Sequence, residues 1–188
     1  MTLIETLLAM VGVAVIGMAM ASFLFATSHA TETSKDMRGL VVKHKTCGAR
    51  LNAAIRSSAM ILDQGTDFIV LWIKDSDESG TPHLAEIRRI ERDAVTRQLR
   101  SYVAPSTLAP ADNAEYDLAA TDFNAATNAI KGTANFPVEL WANGVTNWTI
   151  SLDDSDPQLA VLLSYRVTVQ SNDLSEIVIG AAALRTPE

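Results

Sequence analysis

This chain is short of cysteine, short of basic residues, and devoid of charge where its apolar residues gather. One cysteine, Cys47, among 188 residues excludes an internal disulfide framework. Fifteen Lys and Arg stand against 22 Asp and Glu, a net charge of −7. That deficit of cations argues against a dedicated nucleic-acid binder and against an unassisted grip on anionic lipid. No Gly-x-Ser-x-Gly, no phosphate-cradling glycine loop and no His/Cys metal cluster is present. The expectation is therefore a protein that is not an enzyme. His29 and His44, fifteen residues apart, do not form a metal pair.

The most consequential absence is that of charge between Thr6 and Thr31. The stretch reads TLLAMVGVAVIGMAMASFLFATSHAT, and Thr6 to Ala26 are almost wholly apolar. As a helix rising about 1.5 Å per residue, those residues reach roughly 30 Å, the thickness of a bilayer core. A cleaved signal peptide has a shorter apolar core with basic residues before it. No Lys or Arg precedes this run, and a carboxylate, Glu5, stands at its start. Residues 6–26 read as a retained membrane-spanning segment. This segregation accounts for a positive mean hydropathy, +0.14, in a chain with 20% charged residues.

Proline is missing between Thr27 and Asp63, and glycine occurs there only at 39 and 48. Leu40, Cys47, Leu51, Ala54, Ile55, Ala59 and Leu62 recur at helical spacing. The pattern predicts a helix unbroken to about Leu62, with Asp63-Gln64-Gly65 as its stop. Two domains follow: a spinal helix over 1–62, whose first 26 residues form a membrane or filament-core half, and a β-rich head over 63–188. Residues 1–62 hold six basic and three acidic residues, and the head nine and nineteen. A cationic stem and an anionic head favour association between copies of the chain.

In the head, Phe68–Ile73, Leu84–Ile90 and Gln98–Val103 suggest a three-strand meander. Residues 104–117 read as loop. Thr121–Lys131 reads as a short helix capped by Thr121 and stopped by Gly132. Further strands are expected over Val145–Leu152, Leu159–Val169 and Ser175–Leu184. The class is α+β, one very long helix packed on a mainly antiparallel sheet. A formal glycosylation sequon, Asn147-Trp148-Thr149, falls inside a predicted strand and reads as chance.

The opening Met1-Thr2-Leu3-Ile4-Glu5, followed at once by the apolar run, resembles the mature N-terminus of type IV pilins and type II secretion pseudopilins. The resemblance implies a pilin-like fold with a spinal helix and a β-sheet head. It implies a structural subunit of an extracellular pilus or related filament, built from copies of itself by packing of N-terminal helices. It further implies a leader removed by a prepilin peptidase, N-methylation of Met1, and pairing of Glu5 with the N-terminal amine of a neighbouring subunit. Before assembly such a chain sits in the inner membrane with its assembly machinery; afterwards it lies in the extracellular filament. Two departures count against a major pilin: Ser22 stands where many members have a kinking proline, and the C-terminal cysteine pair is absent. Val145–Leu152 and Leu163–Val169 resemble the end of J-type pseudopilins and W-type minor pilins, so a tip subunit of a type II secretion pseudopilus or pilus is the alternative. A membrane-anchored binding domain is a more distant one.

One loop has metal-ligand spacing. Asp75, Asp77 and Ser79 fall at positions one, three and five of a twelve-residue calcium-loop pattern, Gly80 at six, Thr81 at seven and Glu86 at twelve. A hard cation such as Ca²⁺ takes six to eight oxygens, which this spacing could supply through Asp75, Asp77, Ser79, Thr81 and Glu86. Strand-like flanks and Pro82 depart from the helix-flanked form. The plainer reading is an acidic, solvated loop between two strands.

Overall fold

Two serines stop the first helix. In the computed structural model, which describes residues 3–172 and 174–185 (leaving aside the side chains of residues 3, 5, 6, 8, 9 and 29–36), α1 spans Leu3–Arg56. Ser57 Oγ and Ser58 Oγ both donate to the Ala54 carbonyl, at 2.9 and 2.7 Å, which occupies an acceptor of the last turn. Ala59 N–H then donates to Trp72 O, and the chain has entered a sheet.

The first sheet is a five-stranded antiparallel meander in chain order: β1 (Met60–Gln64), β2 (Phe68–Trp72), β3 (Ile87–Asp93), β4 (Gln98–Val103) and β5 (Val138–Asn143). The second is a three-stranded antiparallel meander: β6 (Val145–Leu152), β7 (Leu162–Ser171) and β8 (Leu174–Ala183). Short 3₁₀ turns cover Leu84–Glu86 and Pro110–Asp112, and a second helix, α2, covers Phe123–Ile130.

The expected fold needs correction. The eight strands form two antiparallel sheets, accompanied by short helices, and the first helix is not packed on a sheet along its length. Two compact units emerge, residues 1–39 and 40–188. In the second, Leu40, Cys47, Leu51, Ala54 and Ile55 of α1 are buried in a cluster drawn from both sheets. In the first, every described residue from Met10 to Ser28 is exposed. The helix also ends six residues earlier than its apolar spacing predicts, because Ile61 and Leu62 serve opposite faces of β1 rather than one helical stripe.

The five-stranded sheet is covered on both faces. Ile61, Ile69, Leu71, Ile90 and Leu99 face the cluster that includes α1. Leu62, Val70, Trp72, Ile87 and Tyr102 face a second cluster with Phe123 of α2, Leu84 and Phe136. A strand buried on both sides has no polar face to show, so β2 reads as the unbroken run FIVLW. The three-stranded sheet has one covered face, and β7 alternates almost strictly between exposed and buried. Tyr165 on β7 reaches α1, its hydroxyl donating to Gly48 O at 3.2 Å. A Cβ at Gly180, its partner on β8, would lie 2.4 Å from that hydroxyl oxygen.

The sheets meet at Gly144, whose φ is +81°. Its carbonyl accepts from Gln170 N at 2.7 Å, while Val145 N donates to Arg97 O at 2.8 Å. A second link closes the other side, Arg185 N to Ser58 O at 2.9 Å. In α2, Asp122 rather than Thr121 is the cap: its carboxylate accepts from Ala125 N at 2.9 Å. Gly132, with φ +79°, follows the last turn where a left-handed residue is needed. Cys47 is fully buried, and burial pushes its thiol up to about 11, with the charge of Arg50 pulling the other way. It packs as a neutral thiol.

Gly144→Ala should destabilise the fold strongly. The added Cβ would lie 2.1 Å from Gln170 O, on top of a left-handed cost of about 1–2 kcal/mol. Leu51→Ala, at a site 1% exposed, should cost about 2–5 kcal/mol. Both are read as shifts in urea midpoint by tryptophan fluorescence, and an unchanged midpoint would contradict the packing described.

Candidate functional site

Two features stand out, one in each unit. The first is the apolar half of α1. Met10–Ser28 is a 19-residue segment with mean hydropathy 2.1, long and apolar enough to cross a membrane, and none of it is buried by the chain itself. Met10, Val13, Phe23 and Phe25 are each about 70% exposed. Two of the segment's hydroxyls turn inward to the helix: Ser22 Oγ donates to Met18 O at 2.9 Å and Thr27 Oγ1 to Phe23 O at 2.8 Å. Polar groups satisfied within their own helix can enter an apolar medium without an unpaired donor. Glu5 lies on α1 with its side chain outside what the structure describes, and Met1 lies outside the described residues.

The second feature is the loop from β2 to the 3₁₀ turn. Most of the oxygens expected to bind calcium accept hydrogen bonds from the loop and from Trp72 of β2. Asp75 accepts from Ser79 N at 3.1 Å and from Gly80 N at 2.8 Å. Asp77 accepts from Ser79 N at 3.2 Å. Ser79 Oγ donates to the Thr81 carbonyl at 3.0 Å. Glu86 is 4% exposed and accepts from Trp72 Nε1 at 3.1 Å, His83 N at 3.3 Å, Ser76 N at 2.5 Å and the Ser76 hydroxyl. Burial raises the pKa of Glu86, but the hydrogen bonds from Ser76, Trp72 and His83 outweigh it and hold the carboxyl below its usual range.

The folded loop brings together a different set. Oxygens of Asp77 and Glu86 and a ring nitrogen of His83 all lie within 4.8 Å of one another. Asp75 is not among them, and Ser79 and Thr81 are bonded to each other. His83 stands at position nine of the motif, where the calcium pattern commonly uses a water. Its placement depends on the 3₁₀ turn and on residues 113–116, which no local spacing reveals: Leu84 N donates to Ala114 O at 2.9 Å and Tyr116 N to Pro82 O at 2.9 Å.

A buried ionic network occupies the α2-facing side of the first sheet, around a cavity of about 310 Å³. Arg89 Nε donates to Glu91 Oε2 at 2.8 Å, and Lys131 Nζ reaches both Glu91 oxygens at 3.0 and 3.1 Å. Arg89 also donates to Asn124 and Thr127, each at 3.0 Å, and lies 4.4 Å over the Phe68 ring. The alternation of IRRIERD marks a strand but gives no sign that its charges are inside. Buried charges require pairing: Arg89 and Glu91 of β3 pair with each other, Lys131 just past α2 adds a second cation, and Asn124 and Thr127 of α2 accept from Arg89.

The chain matches no protein-family model, and none of the curated proteins compared with it matches.

Burial raises the pKa of Glu91, but bonds and charges from Arg89 and Lys131 prevail and depress it. A depressed carboxyl contributes stability that is complete above its unfolded pKa, about 4.3, and is lost as pH falls through the folded value. Glu91→Gln should therefore cost about 3 kcal/mol at neutral pH and much less in acid. Urea midpoints across that range test this; a pH-independent penalty would refute it.

Proposed function

We propose that this chain is a non-enzymatic structural subunit of an extracellular filament of the type IV pilus or pseudopilus kind. Its apolar segment sits in the inner membrane before assembly and packs with other copies afterwards. The observation that carries this reading is the exposed segment Met10–Ser28. Apolar surface of that extent, at about 25 cal/mol per Å², demands cover by lipid or by other chains. The start Met1-Thr2-Leu3-Ile4-Glu5 favours other chains, because a carboxylate at the head of an apolar helix is costly without a cationic partner. A neighbour's N-terminal amine at Met1 is such a partner, and prepilin-type processing with N-methylation would generate it.

The single contribution of Glu5 separates this reading from a membrane-anchored binding domain, which needs the apolar segment but not the acid. Glu5→Leu should leave the chain membrane-bound and its head folded, while the chain disappears from sheared cell-surface material. Electron microscopy and mass spectrometry of that material check this. Normal filaments from Glu5→Leu would contradict assembly through that residue, and no filament containing the wild-type chain would contradict the proposal as a whole.

A further inference from the structure

The loop between β2 and β3 holds a feature that the filament reading does not use. Nδ1 of His83 is buried from solvent and has no hydrogen-bond partner. The His83 side chain is only 16% exposed. Its Nδ1 lies 3.5 Å from Asp77 Oδ2 and 3.9 Å from Glu86 Oε2. An unprotonated Nδ1 this close to two carboxylate oxygens would add a third lone pair to two negative groups, so the three atoms call for something positive among them: a proton on Nδ1 or a metal ion.

The distances separate the two. A proton shared between imidazolium and carboxylate draws the heavy atoms to about 2.7–2.9 Å. Both separations here are far longer. A metal with bonds of about 2.0–2.1 Å in tetrahedral array holds its ligand atoms roughly 3.4 Å apart. The observed 3.5 and 3.9 Å fall near that spacing, and all three ligand atoms lie within 4.8 Å of one another.

We propose that Asp77, His83 and Glu86 bind one divalent transition-metal ion of the zinc class, which clips the β2–β3 connection. The ligand types favour this class over calcium. Imidazole nitrogen suits zinc and its neighbours, whereas calcium takes six to eight oxygens, and this cluster joins only two carboxylates to its imidazole. The site is held ready from outside. Trp72 Nε1 and the Ser76 backbone orient Glu86, as donors to a metal-bound carboxylate do. The partly exposed Asp77 leaves the remaining coordination to water. The ion would join the exposed hairpin tip at Asp77 to the buried Glu86, so its role is to order this connection.

The test uses the full, untagged chain in detergent, stripped with chelator and dialysed against Zn²⁺ alone, Ca²⁺ alone or Co²⁺ alone. One Zn²⁺ per chain is expected, with a visible Co²⁺ absorption band of low coordination number and a higher melting temperature. His83→Gln should weaken Zn²⁺ by about tenfold or more and abolish the Co²⁺ band. Asp75→Asn, which alters the calcium pattern but none of the three ligands, should leave Zn²⁺ affinity unchanged. Tryptophan fluorescence of each variant shows whether the head is folded, and if His83→Gln does not fold, Asp77→Asn at the exposed ligand replaces it. Stoichiometric Ca²⁺ binding lost in Asp75→Asn, Zn²⁺ binding indifferent to both His83 and Asp77, or no metal bound at all would each overturn the proposal.

Discussion

One strip of α1 holds the second unit together. Leu40, Cys47, Leu51, Ala54 and Ile55 share a single buried cluster with Ile69, Leu71 and Leu99 of the first sheet and Leu163, Val167 and Val178 of the second. Backbone hydrogen bonds join the two sheets at Gly144 and at Ser58–Arg185, but the apolar area that both sheets need to bury is supplied from this strip. The other consequences follow from it. The second sheet has one covered face and therefore alternates. Tyr165 can meet the Gly48 carbonyl only because Gly180 carries no side chain beside it.

The same helix begins with residues that obey the opposite rule. A strip serves a helix that has a core on one side and water on the other. From Met10 to Ser28 there is no strip, since apolar residues occur all round and all are exposed. The chain thus carries apolar surface it cannot cover, and its charges are divided accordingly, with cations in surplus over 1–62 and carboxylates over 63–188. Cover by lipid or by other chains would satisfy that surface, and this is the physical basis of the assembly role proposed above.

The buried acids of the head follow a common rule that the buried Nδ1 of His83 beside them does not. Glu91 is paired with Arg89 and Lys131, and Glu86 is surrounded by N–H and O–H donors, so both stay ionised despite burial. Their donors come from sequence neighbours and from distant elements alike: Ser76 and Trp72 for Glu86, α2 for the Arg89 end of the other network. Among the described residues of the acidic loop, His83 Nδ1 is the buried atom left without a hydrogen bond. That contrast, within a loop otherwise saturated with internal bonds, distinguishes it from an ordinary surface histidine.

Where one interaction period governs a segment, the sequence alone was enough. β4 and β6 match their expected limits because turn or loop residues bound each short run at both ends. The exposed apolar segment is equally legible, since charge is simply absent there. Local reading failed where tertiary contacts reassigned a residue's face. Leu62 continues a helical spacing, yet it lies in β1 because Ala59 and its neighbours pair with β2. β5 carries exposed Val138 and Leu140 beside buried Trp141 and Ala142 around a bulge, so it has no clean period to detect. The twelve-residue loop spacing marked this segment, but spacing counts residues and not directions. Which of its atoms converge, and that His83 joins Asp77 and Glu86 while Asp75 does not, was decided by the 3₁₀ turn and the 113–116 segment packing against it.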